Sequence, residues 1–130
     1  MAELKALCLG LKLALDHNLQ PLDVETDSLE VLDLLSFPSP SYDKIVASCR
    51  SMLRSLGNPA VQHNFREANG AADILAEFGS SSTALSYVLL SPPEIVATQL
   101  KRDRDGVSTS RIISKASYNK LVSCVIICYA

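Results

Sequence analysis

The feature that most restricts this chain is a pair of short strand-like stretches held apart by helical pattern. Leu22 to Thr26 alternates apolar and acidic side chains, which suits a strand with one face buried. Ala60 to Phe65 reads as a second short strand. The residues between them are helical in pattern, and strands joined by helical crossovers pair in parallel. The fold class that follows is α/β, with short parallel strands and crossover helices. Two strands alone make a poor sheet. A further strand is therefore expected beside them.

Around those strands the helices are marked by spacing and by their ends. From Ala2 to His17, Leu4, Leu7, Cys8, Leu11 and Leu15 recur on one face. Leu9 and Leu13 fall on nearly the opposite side, which predicts a helix covered twice. Asn18 is a suitable stop, because Asn tolerates the left-handed conformation. Asp27-Ser28-Leu29-Glu30 has the form of a helix start, with Asp27 as cap and Glu30 reaching back. The helix it opens is expected from Ser28 to Leu35. Phe37-Pro38-Ser39-Pro40 breaks the chain.

Tyr42 to Leu56 places Ile45, Val46, Cys49, Met52, Leu53 and Leu56 on one helical face, and Gly57-Asn58-Pro59 ends it. Asn69 is expected to cap a helix that runs to Phe78 and closes at Gly79. Ser80 to Thr83 reads as a linker, Glu94 to Leu100 as a helix opened by Pro92-Pro93, and Lys101 to Gly106 as a charged turn. Leu121 to Tyr129 is apolar and β-prone. Two segments are expected, a main domain over residues 1–79 and an extension over 80–130.

Composition sets bounds on function. Hydrophobic residues make up 48% of the chain and Trp is absent, so the core is built from Leu, Ala, Val and Ile. No secretory pattern opens the sequence, and Leu121–Tyr129 is too short to span a bilayer as a helix. The expectation is a soluble intracellular protein with no membrane attachment, nucleus and cytoplasm both open. Cys8, Cys49, Cys124 and Cys128 have no zinc spacing and read as buried thiols in a reducing compartment. Up to Ser80 there are six Lys or Arg against eleven Asp or Glu, and beyond it six against three. The first part has no overall basic footprint for nucleic acid. Binding there needs a local patch or a metal ion to offset phosphate repulsion.

Three carboxylates occupy comparable places. Glu3 lies in the first turn of the first helix, Asp27 where the first strand meets the next helix, and Asp73 in the first turn of the helix after the second strand. Sites in open α/β sheets form beyond the carboxyl ends of the strands. The same residues also suit first helical turns for electrostatic reasons, worth about 0.3 to 1 kcal/mol each. Spacing alone leaves both readings open.

The surrounding words point further. Ala2-Glu3-Leu4-Lys5-Ala6-Leu7 with Gly10-Leu11-Lys12-Leu13-Ala14, then Val24-Glu25-Thr26-Asp27-Ser28, then Arg66-Glu67-Ala68-Asn69-Gly70-Ala71-Ala72-Asp73-Ile74-Leu75-Ala76 are three motifs in series. They resemble the plant ribonuclease H-like proteins related to the domain associated with reverse transcriptase in non-LTR retroelements. The likeness covers Ala2 to Gly79, with a fainter one over Pro92 to Arg111.

That resemblance implies a ribonuclease H-like fold of type 1 and hydrolysis of the RNA strand of an RNA–DNA hybrid. It implies Mg2+ as cofactor, two ions held by four carboxylates, which activate water and stabilise the leaving oxygen. Glu3, Asp27 and Asp73 match the second, third and fourth of these. His63 stands where bacterial relatives carry a histidine that assists proton transfer and product release, an ordinary polar residue of the strand being the other reading. Arg66 is expected to pair with a nearby carboxylate, contact with phosphate being the alternative.

In the family pattern an antiparallel meander precedes the first helix and carries the bridging aspartate. Here Met1 falls directly before that helix, so a truncated fold is expected, with weak or no two-metal activity by this chain alone. The edge left beside Leu22–Thr26 invites self-association or strand addition. The Leu121–Tyr129 tail could fill it, or could be read-through from an intron or a frame change. Three readings stay open. They are a ribonuclease H-like domain that binds nucleic acid, a non-catalytic retroelement-derived interaction module, and a fragment that does not fold alone.

Overall fold

The computed structural model describes residues 2–65, 69–81 and 88–106, and the backbone of 125–129. The element order is α1 (Ala2–Asp16), β1 (Leu22–Thr26), α2 (Leu29–Ser36), α3 (Asp43–Ser55), β2 (Val61–His63), α4 (Gly70–Ser80), α5 (Glu94–Arg104) and β3 (Val125–Tyr129). The chain forms two compact units, Met1–Asn64 with Val122–Ala130, and Phe65–Leu121. No described helix is long and apolar enough to cross a membrane.

In the first unit the sheet order is β2-β1-β3. β1 and β2 are parallel, with Val24, Glu25 and Thr26 opposite Val61, Gln62 and His63. This is the expected α/β arrangement of parallel strands and helical crossovers. β2 is shorter than the expected Ala60–Phe65, since only three residues hold the pairing. β3 runs antiparallel to β1 along its whole length, from Leu22 opposite Tyr129 to Thr26 opposite Val125. The β-prone tail thus lies along the edge of β1 that sequence reasoning left open. The part of the tail before Val125 lies outside the described residues.

One face of β1 is core and the other is not, as alternation requires. Leu22, Val24 and Thr26 are buried, while Asp23 is exposed and Glu25 half-buried. The buried face meets Leu4, Leu7, Leu11 and Ala14 of α1, Val31 of α2, and Val46, Cys49 and Leu56 from α3 and its end. Each fully buried Leu or Val contributes about 1.5 to 3 kcal/mol relative to exposure. The expectation of a twice-covered α1 fails, because Leu9 is 53% exposed. α1 packs through a single stripe, and Leu9 is an apolar residue left at the surface, which is common.

The ends of α1 and α3 are closed the same way. Asn18 takes φ 52°, and the Leu19 and Asn18 amides donate to the Ala14 and Leu15 carbonyls at 2.9 and 3.2 Å. After α3, Gly57 and Asn58 take φ 84° and 57°, and their amides donate to Arg54 and Leu53 at 3.2 and 2.9 Å. Left-handed residues let the chain turn back on itself and satisfy carbonyls that no longer have helical donors.

α2 begins one residue later than the sequence suggests. Its cap is Ser28, whose hydroxyl accepts from the Val31 amide at 3.3 Å. With the cap at Ser28, the position three residues on is Val31, and Glu30 is too early to reach back. The far end of α2 is held from α3. Arg50 donates through Nε to the Leu35 carbonyl at 3.1 Å and through Nη2 to Leu34 at 3.4 Å.

In the second unit α4 and α5 pack together through small residues. Ala71, Ala72 and Val96 are buried, and a Cβ on Gly70 would come within 3.0 Å of the Gln99 side chain. α4 does not close at Gly79. It runs through it to Ser80, and the Ser80 and Ser81 hydroxyls donate to the Glu77 and Phe78 carbonyls at 2.7 and 2.8 Å. Side-chain donors therefore do what a left-handed glycine was expected to do. The stretch read as a charged turn is helical as far as Arg104, and Gly106 at φ 67° follows it. Lys101, Arg102 and Arg104 sit in that last turn, where cations favour the negative helix end.

Candidate functional site

The parallel pairing of β1 and β2 sets their carboxyl ends side by side. The register puts His63 opposite Thr26, so Asp27 and Asn64 are the residues at which the two strands leave the sheet. Two of the candidate residues, Asp27 and His63, are brought to one sheet edge in this way. It is the edge at which open α/β sheets place their sites. Asp27 is half-buried and His63 exposed.

Hydroxyls flank Asp27 on both sides and satisfy the backbone. The Ser28 amide donates to Thr26 Oγ1 at 3.1 Å, and Ser28 Oγ takes the Val31 amide. The expected capping role of Asp27 is therefore a correction, since Ser28 performs it. Thr26 itself is wholly buried. Its carbonyl accepts from the Asn64 amide at 2.9 Å, which extends the ladder one step past β2. Asn64 also donates from Nδ2 to Glu25 Oε2 at 2.9 Å.

The other two candidates lie on helices. Glu3 is half-buried in the first turn of α1, next to Leu4 in the core. Asp73 is half-buried in the first turn of α4, in the second unit, and its amide donates to the Asn69 carbonyl at 3.2 Å. Asn69 is the cap residue of α4 by position, buried, with no capping bond from its side chain. Arg66 lies outside the described residues.

Among the described residues no three His, Cys, Asp or Glu side chains form a group that could hold a metal ion. The cysteines that are described, Cys8 and Cys49, are free thiols of the core. Burial, and then the neighbouring Cys8 thiol, push the Cys49 thiol up from 9.0 to about 12. That makes it inert rather than nucleophilic.

Sequence reasoning missed the Glu25–Asn64 bond. Glu25 was read only as the outer residue of an alternating strand. The reach from a strand to the residue after its neighbour depends on register, for which a three-residue strand gives no signal.

The reverse transcriptase-like family model matches residues 1–79. No curated protein and no solved structure matches the chain. The matched span carries all three motifs and both strands of the parallel pair. The chain belongs to the reverse transcriptase-like family, a family of ribonuclease H-like domains.

Proposed function

We propose that residues 1–79 form a ribonuclease H-like domain that binds nucleic acid, with an RNA–DNA hybrid as its substrate class. Residues 80–130 are then an extension whose last described strand returns to the sheet. The observation that carries this is Asp27 placed beside His63 at the carboxyl ends of paired parallel strands, within the span that the family model matches. In this reading Glu3, Asp27 and Asp73 are the acidic positions for magnesium, and His63 handles a proton.

The same reading makes hydrolysis by this chain alone weak or absent. Magnesium takes several oxygen donors, and among the described residues no three His, Cys, Asp or Glu side chains form a group that could hold a metal ion.

The test is a labelled RNA–DNA hybrid incubated with magnesium and either the chain or its Asp27→Asn variant. The expected result is magnesium-assisted binding with cleavage at background. Metal-dependent cleavage that disappears in Asp27→Asn would overturn the inactivity. Absence of both binding and cleavage would favour the second reading, a non-catalytic interaction module. That reading rests on the outer edge of β2, which has no further strand beside it among the described residues and is open to strand addition.

A further inference from the structure

β2 is only three residues long. A parallel ladder of that length is weak, because its bonds are slanted and its ends fray. Yet the site proposed above needs the end of β2 to stay beside the end of β1, since that is what keeps His63 near Asp27. The residue that holds the two ends together is Asn64. Its backbone amide donates to the Thr26 carbonyl at 2.9 Å, and its side-chain amide donates to the Glu25 carboxylate at 2.9 Å. One residue thus grips two successive residues of β1, one by backbone and one by side chain.

From Thr26 the linkage continues past Asp27, because Thr26 Oγ1 accepts from the Ser28 amide at 3.1 Å. Asp27 lies between two residues joined by that bond, and His63 immediately precedes Asn64. The Glu25 bond is charge-assisted, so it is stronger than a neutral amide pair. It is also partly buried, so water competes with it only weakly. On the same face of β1, Asp23 is exposed, and there a polar side chain needs only to be soluble. At position 25 reach matters as well. A carboxylate one methylene shorter would not meet Nδ2 without moving the strand.

Resting on the nucleic-acid reading, we propose that Glu25 is a positioning residue for the Asp27–His63 pair and acts through Asn64. It touches neither substrate nor ion. Its role is to fix the separation of the two strand ends.

The test compares Glu25→Ala, Glu25→Asp and Glu25→Gln in the full chain. Gln keeps the acceptor and the length but not the charge, whereas Asp keeps the charge but not the length. The first readout is hydrogen exchange at the Asn64 backbone amide, without metal or nucleic acid. Exchange is expected to rise about 10-fold in the Ala and Asp variants and clearly less, by about threefold, in Gln, which keeps a neutral bond of the same reach, with amides of α1 and α3 unchanged. The second readout is affinity for an RNA–DNA hybrid with magnesium. Positioning predicts that Ala and Asp weaken binding together while Gln retains it. A pure charge effect predicts instead that Ala and Gln strengthen binding together and Asp matches wild type.

Unchanged Asn64 exchange in Glu25→Ala, or Glu25→Gln exchanging as fast as Ala, overturns the proposal. So does hybrid affinity that is identical in all three variants, or that follows charge. If exchange follows the expected order but no form of the chain binds hybrid, the linkage stands and the nucleic-acid reading is what fails.

Discussion

Replacing Arg50 by Met tests whether α2, the helix that begins beside Asp27, is anchored from α3. The last carbonyls of a helix lack donors, and the sequence worsens this at α2. The natural donor for the Leu34 carbonyl would be the amide of residue 38, which is Pro38 and has none. Arg50 supplies donors instead, Nη2 to Leu34 at 3.4 Å and Nε to Leu35 at 3.1 Å. Its charge also suits the negative end of the helix. A charged hydrogen bond is worth about 1.5 to 3 kcal/mol, the longer one is weak, and the dipole adds about 0.3 to 1 kcal/mol. Arg50 is only half-buried, so water recovers part of the loss.

Arg50→Met keeps most of the apolar stem and is expected to destabilise the first unit by about 2 kcal/mol. Arg50→Lys keeps the charge but not the fork, and about 1 kcal/mol is expected. The assay is urea unfolding followed by circular dichroism, since the chain has no Trp. With a slope of about 1 to 3 kcal/mol per molar urea, the Met variant shifts the midpoint by about 1 M. A midpoint within about 0.2 M of wild type would refute the anchoring. A Lys variant as damaged as the Met variant would show that the fork, rather than the charge, holds the helix end.

Three other outcomes are expected. Ser28→Ala costs about 1 kcal/mol in unfolding experiments, since Ser28 is the cap; a stability equal to wild type would show that this cap does not hold α2. Stability falls as pH rises above about 9, by up to about 1.4 kcal/mol per unit toward pH 12, because the unfolded Cys49 thiol ionises first while the folded one holds its proton to about 12. In Cys49→Ala that part of the slope disappears, and equal slopes in both proteins would discard the idea. Removing residues 122–130 uncovers the edge of β1 along which β3 pairs, and the shortened chain is expected to self-associate in sedimentation experiments; a strictly monomeric product would show that the edge is harmless.

Much of the first unit was legible from local chemistry. The alternation of Leu22–Thr26 coincides with β1 residue for residue. Asn18 and Gly57 mark turns because both take the left-handed conformation there. What could not be read depended on choices between near-equal partners. Asp27 and Ser28 are both good caps, and the choice is made by how far β1 runs before Thr26 Oγ1 takes the Ser28 amide. Gly79 permits a helix end without requiring one, and the serines after it satisfy the carbonyls instead. Leu9 matches helical spacing but is left 53% exposed. At the candidate site, the place of Asp27 at the carboxyl end of a strand follows from the crossover rule, whereas His63 opposite Thr26 is fixed by register. The Asn64 grip does not, because it depends on a register that three residues cannot announce.

The sheet also constrains how the chain comes to be folded. Val24 finds one neighbour, Val61, across the crossover to β2, but its other neighbour is Ile127, far downstream. During synthesis β1 and its helices emerge and collapse while that second flank is still bare. Pairings so distant along the chain form slowly. The protein therefore passes through an interval in which one flank of its central strand is unpaired, until the tail arrives.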